Sequence, residues 1–154
     1  MPTIGQICNR DVVVTTRERS VSDAAKLMRE RHVGSVIVVE TREGAQHPVG
    51  IVTDRDMVVE IIALDLDPRD LTVGELMGSE LIVARENDDI RETLSVMRVN
   101  GIRRLPVLGE QGDLLGIVAS DDLISVLAED IAAIANMTQH QRSREVAQRK
   151  SLSA

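Results

Sequence analysis

The residues best suited to chemistry in this chain of 154 residues lie in the segment Thr53-Asp54-Arg55-Asp56. They follow the aliphatic run Gly50-Ile51-Val52, which predicts a strand that leads directly into a helix. A helix N-terminus offers unpaired N–H groups and a partial positive charge to a phosphate. The hydroxyl of Thr53 can bond a phosphate or sugar oxygen, and the carboxylate of Asp56 can accept two hydrogen bonds from a ribose diol. The segment therefore favours a nucleotide site.

A helix cap explains the same residues without any ligand. Thr53 and Asp56 have the spacing of a capping box, in which a hydroxyl residue and an acid three positions later close a helix N-terminus. An equivalent segment, Gly116 to Asp122, keeps the acid at Asp122 but has Ala119 in place of Thr53. A cap does not require the same acid in both segments, whereas two equivalent clefts would. Both interpretations stay open on these residues alone.

The chain repeats itself, which puts the two segments in equivalent positions. Residues 3–8, 11–14, 27–29 and 36–39 align with residues 72–77, 80–83, 96–98 and 105–108, always at an offset of 69. The offset shortens to 66 where residues 50–52 meet residues 116–118. A repeat of this length is a supersecondary unit, and two copies indicate a pseudo-two-fold module with a cleft between its halves.

Each copy is predicted to consist of strand, helix, strand, turn, strand and helix. Strands are expected at 12–14, 35–40, 49–53, 81–83, 105–108 and 114–119, and helices at about 20–32, 54–66, 89–101 and 120–138. The fold class is therefore α/β (α+β), with two β-α-β-β-α units packed into one module. The expected domains are residues 1–68 and 69–138, followed by a polar, flexible C-terminal tail at 139–154. The tail is locally basic, so docking to an acidic partner is the alternative to a frayed end.

Composition and charge exclude several classes of function. A net charge of −7 opposes general binding to nucleic acid or to anionic lipid. No apolar run approaches the roughly 20 residues of a membrane span, and the N-terminus lacks a signal pattern. The single cysteine, Cys8, excludes an intrachain disulfide, aligns with Met77 and is expected to be a small apolar residue. We expect a cytoplasmic protein without a membrane or nucleic-acid partner.

No catalytic or metal centre is recognisable in the sequence. The three histidines are scattered and lack metal-ligand spacing. There is no nucleophile elbow, Walker loop or GxGxxG, and no convergent acid–base pair is visible. We therefore expect a protein that is not an enzyme and requires no cofactor or metal. The absence of Phe, Tyr and Trp means that a planar ligand would lie between aliphatic side chains.

The ordered set of motifs resembles a tandem pair of cystathionine-β-synthase (CBS) domains. The resemblance rests on residues 33–38 and 102–107 before the central strands and on Gly50 to Asp56 after the first of them, and it covers residues 3–138. It is nearest to small stand-alone bacterial and archaeal proteins that consist of one CBS pair. It implies a disc-like module that pairs again as a homodimer. It also implies a cleft that binds AMP, ADP or ATP, or a related ligand such as S-adenosylmethionine.

The resemblance assigns roles to individual residues. Asp56 and Asp122 would hold ribose hydroxyls, and Thr53 would support the ribose-phosphate. Segments at Val14-Thr15, Ile37-Val38 and Leu105-Pro106-Val107 would wall the base. Two positions depart from the first copy, since Ala119 lacks the hydroxyl of Thr53, for which Ser120 is a partial substitute, and Ala84 stands where Thr15 does.

Phosphates need local positive charge on this acidic chain. Arg55, Arg103 and Arg104 are the candidates, because arginine recognises phosphate through fixed, paired donors. The alternative for each is a surface ion pair with Asp54, Asp121 or Asp122. The candidate nucleotide-binding residues are therefore Thr15, Thr53, Arg55, Asp56, Arg103, Arg104, Pro106, Ser120 and Asp122.

The sequence thus predicts a non-catalytic regulatory sensor that binds an adenosine ligand between its repeats and signals to an unidentified regulated protein. The alternative is a ligand-free structural module that dimerises or docks on a partner enzyme. The hydroxyls missing at Ala84 and Ala119 favour this alternative.

Overall fold

The structure, a computed structural model, describes residues 1–152, without the side chains of residue 139 and residues 150–152. The helices are α1 (Ile4–Ile7), α2 (Val21–Arg31), α3 (Asp54–Glu60), α4 (Val73–Leu76), α5 (Ile90–Asn100) and α6 (Ser120–Leu152), with a 3-10 helix at Ile62–Leu64. The strands are β1 (Val14–Thr15), β2 (Ser35–Arg42), β3 (Ala45–Thr53), β4 (Ala84–Arg85), β5 (Arg104–Leu108) and β6 (Leu114–Ala119). Residues 1–119 form one compact unit, and α6 belongs to a second.

Two three-stranded sheets of identical topology form the first unit. Their strand orders are β1-β2-β3 and β4-β5-β6, with the first pair parallel and the second antiparallel in each. Both antiparallel pairs contain a register shift at equivalent places, between Val38 and Val39 and between Val107 and Leu108. The predicted mixed α/β fold with two repeated units is confirmed.

Local sequence signals account for the ends of the two long helices of the first unit. Ser20 caps α2 by accepting a hydrogen bond from the Asp23 N–H at 3.1 Å. Asp89 caps α5 in the same way. The helices end at left-handed residues, His32 (φ 54°) and Gly101 (φ 65°), which stop the helical ladder. The expected boundaries of these helices are confirmed.

Other predicted boundaries were wrong. α3 ends at Glu60 rather than Leu66, because the chain tightens into the 3-10 helix and then turns at Asp65 (φ 55°). β3 begins at Ala45 and includes Pro48, which an edge strand tolerates beside a bulge. The first strand of each sheet lies at Val14–Thr15 and Ala84–Arg85, slightly later than expected, since only these residues pair with the central strand.

α6 continues past the predicted end at Thr138 to Leu152. Residues 139–152 contain neither glycine nor proline and include three Gln and three Arg, which favour helix. The tail expected at 139–154 is therefore helical as far as the structure describes it, and residues 153–154 lie outside the described residues. No helix in the described chain has both the length and the apolar character that crossing a membrane requires.

The short helices α1 and α4 were missed, and each packs on the opposite repeat. The N–H of Gly5 in α1 donates to the carbonyl of Glu86 at 2.8 Å. The N–H of Gly74 in α4 donates to the carbonyl of Arg17 at 2.9 Å. These two bonds are equivalent under the 69-residue offset of the repeat. The repeats therefore exchange their first helices.

The core is aliphatic in both repeats. Side chains in the first repeat, among them Val36, Val38 and Val52, are fully buried. Leu105 and Val107 are equally buried in the second. The central strands are therefore covered on both faces, and they serve as rigid supports for the segments that follow β3 and precede β5.

Candidate functional site

One cavity of the first unit collects residues from both repeats. Its volume is about 840 Å³, which is within the range of sites for small molecules. The first repeat contributes the junction between β3 and α3, including Thr53, Arg55 and Asp56. The second contributes α4, the segment before β5 with Arg103, and Arg104 at the start of β5. Five of the nine candidate residues therefore lie around one cavity.

Thr53 and Asp56 form a complete capping box. The backbone N–H and the hydroxyl of Thr53 both donate to Oδ2 of Asp56, at 2.7 and 2.8 Å. The N–H of Asp56 donates back to the Thr53 hydroxyl oxygen at 3.2 Å. The structural interpretation of these residues is therefore correct. It does not exclude a second role, because both residues also line the cavity.

The capping box leaves Asp56 and Thr53 with different hydrogen-bonding groups available to a ligand. Within the described chain, Oδ1 of Asp56 has no hydrogen-bond partner, so it can accept from a ribose hydroxyl while Oδ2 maintains the cap. The single hydroxyl hydrogen of Thr53 is already donated to Asp56. Thr53 can therefore accept a bond from a ligand but must release Asp56 before it donates to a phosphate.

The same capping box occurs at α4, so the motif by itself does not indicate a ligand site. The N–H and the hydroxyl of Thr72 donate to Oε2 of Glu75 at 2.7 and 2.8 Å. These hydrogen bonds, led by the one from the Thr72 N–H, hold the pKa of Glu75 below its ordinary value. Glu75 also lines the cavity, on the side contributed by the second repeat. Neither the capping box nor a place in the cavity lining therefore distinguishes Asp56 from Glu75.

The cavity carries charge of both signs. Its three arginines are Arg55, Arg103 and Arg104, and its carboxylates are Asp54, Asp56, Glu60, Glu75 and Glu80. Arg55 is exposed, and neither it nor Arg104 forms an ion pair with any of these carboxylates. The ion pairs expected as the alternative for Arg55 and Arg104 with Asp54 are therefore not formed. Both guanidinium groups keep donors available to an anion.

Four candidate residues lie elsewhere. Thr15 is 7% exposed in β1, where it pairs with Val38. Pro106 is buried in β5 opposite Ile117. Neither is part of the cavity lining. Ser120 and Asp122 lie in the first turn of α6, in the second compact unit.

The proposed base walls are more deeply buried than the sequence suggested. Ile37, Val38, Leu105 and Val107 have no exposed surface. Aliphatic surface in the cavity comes instead from Ile51 and from residues that follow α3 and flank α4, namely Ile61, Leu64, Leu66, Leu71, Leu76. The T-x-x-E pattern at Thr72 was the signal that could have located α4 and, with it, this wall.

No group of three or more His, Cys, Asp and Glu residues among those the structure describes could hold a metal ion. The thiol of Cys8, which is not part of the cavity lining, donates weakly to the carbonyl of Gly5 at 3.6 Å. The cavity offers carboxylate, guanidinium and aliphatic groups to a ligand.

A family model for the CBS domain matches residues 4–63 and again residues 73–129. The chain belongs to the CBS domain family. The two matches correspond to the two copies of the repeat, so the protein contains a tandem CBS pair. CBS pairs are regulatory modules, and many of them bind nucleotides.

Relatives of this CBS pair occur in bacteria and archaea. Hypoxic response protein 1 of Mycobacterium tuberculosis is 33% identical over 129 residues, which cover 84% of this chain and 87% of that protein. An uncharacterised protein of Methanopyrus kandleri is 30% identical over 132 residues, which cover 86% of this chain but only 66% of that protein.

Solved structures share the fold of the CBS pair. A protein with CBS domains from Burkholderia ambifaria aligns with a TM-score of 0.74 at 28% identity, covering 83% of this chain and 95% of that one. The hexameric CBS-CP12 protein of bloom-forming cyanobacteria aligns with a TM-score of 0.72 at 29% identity, covering 80% and 70%. Assembly into oligomers thus occurs among similar CBS proteins.

Proposed function

We propose that this chain is a non-catalytic sensor that binds an adenosine nucleotide, AMP, ADP or ATP, or a related adenosyl ligand such as S-adenosylmethionine. The single observation that carries the proposal is the cavity to which one repeat contributes Arg55 and Asp56 and the other contributes Arg103 and Arg104. A ligand that contacts both repeats can bind their alternative arrangements with different affinity, which is the requirement for sensing.

In this proposal each cavity group has a defined partner. Oδ1 of Asp56 accepts from the ribose hydroxyls, and its Oδ2 keeps the cap of α3. Arg55, Arg103 and Arg104 donate to phosphate. The base lies against aliphatic side chains such as Ile51 and Leu71. With about 0.3 kcal/mol for each heavy atom of AMP, such a site gives a dissociation constant on the order of 10 µM.

The excess of carboxylates in the cavity bears on which ligand fits. Five carboxylates surround three arginines, so a ligand with several negative charges meets net repulsion. A triphosphate is penalised more than a monophosphate, and a ligand with a cationic sulfonium is favoured. AMP and S-adenosylmethionine are therefore better matched to this cavity than ATP.

We retain a second, equivalent site as part of the proposal. Asp122 would hold the ribose there, as Asp56 does in the first site, and Ser120 would supply the hydroxyl that Ala119 lacks. In the structure, Ser120 donates to its neighbour Asp121 at 3.3 Å. Thr15 and Pro106 would support the first site from the strands in which they are buried.

A homodimer is the assembly through which the ligand would signal to a regulated protein. Large aliphatic side chains are exposed on the faces of the CBS pair, including Val58 (53%), Ile62 (66%) and Val99 (75%). Such surface supports pairing through the two repeats. The ligand would act by shifting the balance between two dimer arrangements.

Two substitutions of the same chemistry test the site. Asp56→Asn keeps one oxygen for the cap of α3 but removes the charge and the second acceptor, so affinity for AMP should fall at least tenfold. Glu75→Gln makes the same change in the matching cap of α4, where it only removes a repulsive charge, so AMP should bind as tightly or more tightly. Isothermal titration with AMP, ADP, ATP and S-adenosylmethionine measures both. Equal affinity of wild type and Asp56→Asn would refute the assignment.

A ligand-free interaction module is the second candidate function. It is favoured by one observation, the donation of the Thr53 hydroxyl hydrogen to Asp56 within the capping box. On this alternative, no adenine compound raises the melting temperature of the protein, while a stable partner copurifies with it. A thermal-shift series with the four ligands separates the two candidates.

A further inference from the structure

Helix α6 exposes an aliphatic face that the nucleotide proposal does not use. Its 33 residues extend about 50 Å at 1.5 Å per residue. Every described side chain from Ala128 to Arg149 is exposed. The large apolar side chains include Ile131 (68%), Ile134 (65%) and Met137 (71%). So much aliphatic surface on one helix indicates a contact with another molecule.

The spacing of these residues is that of a coiled-coil seam. Ile124, Leu127, Ile131 and Ile134 alternate at intervals of three and four residues. At about 100° per residue they occupy a sector of about 80° on the helix. Ala133 and Asn136 lie on the opposite side. The partner of this seam is therefore expected to be another helix with the same spacing.

The two ends of α6 carry opposite charge. The acids Asp121, Asp122, Glu129 and Asp130 lie in its first eleven residues, and no Lys or Arg occurs before residue 142. The following segment carries Arg142, Arg144 and Arg149, with Glu145 as its acid. A parallel pair of such helices would place acid beside acid and base beside base. An antiparallel pair brings each acidic end to a basic end.

We propose that α6 pairs in antiparallel orientation with the α6 of a second copy of this chain. The same spacing continues past Ile134 to Thr138 and Gln141. Centring this six-residue seam on itself puts Ile131 beside Ile134 of the second copy and Leu127 beside Thr138. In the same register the acidic end of one helix lies along the basic end of the other, with Asp121 and Arg142 of the second copy on the same flank of the seam. The pair has two-fold symmetry, so each helix supplies both halves of the contact.

Sedimentation of the full chain over a concentration series tests the pairing. Ile131→Asp combined with Ile134→Asp should reduce the weight-average mass to about half that of the wild type at the same concentration. The matched control, Ala133→Asp with Asn136→Asp, adds the same charge to the opposite face and should leave the mass unchanged. All four positions are exposed, and circular dichroism verifies that the helix is retained.

Two results would overturn the pairing. A wild type that stays monomeric throughout the series would mean that a different protein covers the seam. Equal masses for wild type and the Ile131/Ile134 variant, or equal loss in both variants, would mean that this face makes no specific contact between copies.

Disulfide cross-linking tests the orientation in a Cys8→Ser background. In the antiparallel register Ile124 lies beside Gln141 of the second copy and about 25 Å from Ile124 of that copy. A mixture of Ile124→Cys and Gln141→Cys chains should therefore cross-link, whereas Ile124→Cys alone should not. Cross-linking of Ile124→Cys to itself would show a parallel pair and would refute the proposal.

Discussion

The side chain of Met77 lies directly against the backbone of Gly50. Cys8 lies in the same way against Gly116, and the two contacts are equivalent under the sequence repeat. Each residue follows directly after a first helix, α1 or α4, and reaches a strand of the opposite repeat. Glycine at both strand positions permits the close approach. The exchange of first helices is therefore fixed by side-chain packing as well as by backbone hydrogen bonds.

Substitution of Gly50 and of Gly116 by alanine should lower the free energy of unfolding by different amounts. A Cβ at Gly116 would lie 2.7 Å from Sγ of Cys8 and 2.8 Å from the carbonyl oxygen of Asn9, which belongs to the backbone and cannot turn aside. At Gly50 the obstacle is the flexible side chain of Met77. We expect Gly116→Ala to lower the free energy of unfolding by about 2–3 kcal/mol and Gly50→Ala by about 1 kcal/mol, measured by urea denaturation.

A double-mutant cycle separates the causes of these costs. Removing the Met77 side chain should abolish most of the additional cost of Gly50→Ala. Cys8→Ala should relieve Gly116→Ala only in part, because the carbonyl of Asn9 remains. Relief of the same fraction of the glycine-to-alanine cost in both cycles would contradict the packing described.

The glycines inside the exchanged helices provide a second comparison. A Cβ at Gly5 would lie 2.9 Å from the carbonyl oxygen of Glu86, whereas a Cβ at Gly74 would lie 3.2 Å from that of Arg17. We expect Gly5→Ala to destabilise the protein by about 2 kcal/mol and Gly74→Ala by less than about 1 kcal/mol. Gly78→Ala is the control, because its nearest atom would be 4.0 Å away. The reverse order in thermal or urea unfolding would show that the two interfaces differ from this geometry.

Arg55 should contribute to phosphate recognition and not to recognition of the nucleoside. We expect Arg55→Gln to weaken AMP binding about tenfold and to leave adenosine binding unchanged, because only the charge-assisted bond to phosphate is lost. Arg98→Gln, an exposed arginine of α5 outside the cavity lining, is the matched control. Calorimetric titration of both ligands measures the difference. Loss of adenosine binding would show that Arg55 supports the fold of the site.

Asp67 should titrate unusually low. The hydrogen bonds from the Arg69 side chain, followed by that from its backbone N–H, lower the pKa of Asp67 from 3.8 to about 2. Because the folded pKa is depressed, this stabilisation is present above about pH 4 and is lost as the pH falls toward 2. Carbon-detected NMR titration measures the carboxyl directly. In Arg69→Gln the pKa should return toward 3.8, and an unchanged value would assign the shift to another cause.

The repeat, the two sheets and the helix caps could be predicted from the sequence alone. Ser20 and Asp89 cap helices because short polar side chains satisfy N–H groups within the same few residues. Signals of this kind are local and can be read from one chain. The same holds for the junction from β3 to α3, so Thr53 and Asp56 were located correctly and their capping role was foreseen as one alternative.

Features that depend on distant residues were missed. Nothing near Gly50 indicates that Met77 will pack on it, because that contact depends on how the repeats exchange helices. The same exchange brings Glu75 to the cavity. Thr15 and Pro106, expected beside the ligand, are buried in their strands and lie outside the lining of the cavity. Burial of this kind is a property of the assembled layers and not of the strand sequence.

The crossed positions of α1 and α4 have a consequence for any attempt to divide the chain. A fragment that starts at residue 69 lacks the helix whose Gly5 bonds Glu86, and a fragment that ends at residue 68 lacks the helix whose Gly74 bonds Arg17. Neither fragment is complete alone, but the two mixed together contain all the missing pieces. A single repeat with this architecture would therefore satisfy the contact of its first helix only as a pair of identical chains that exchange those helices.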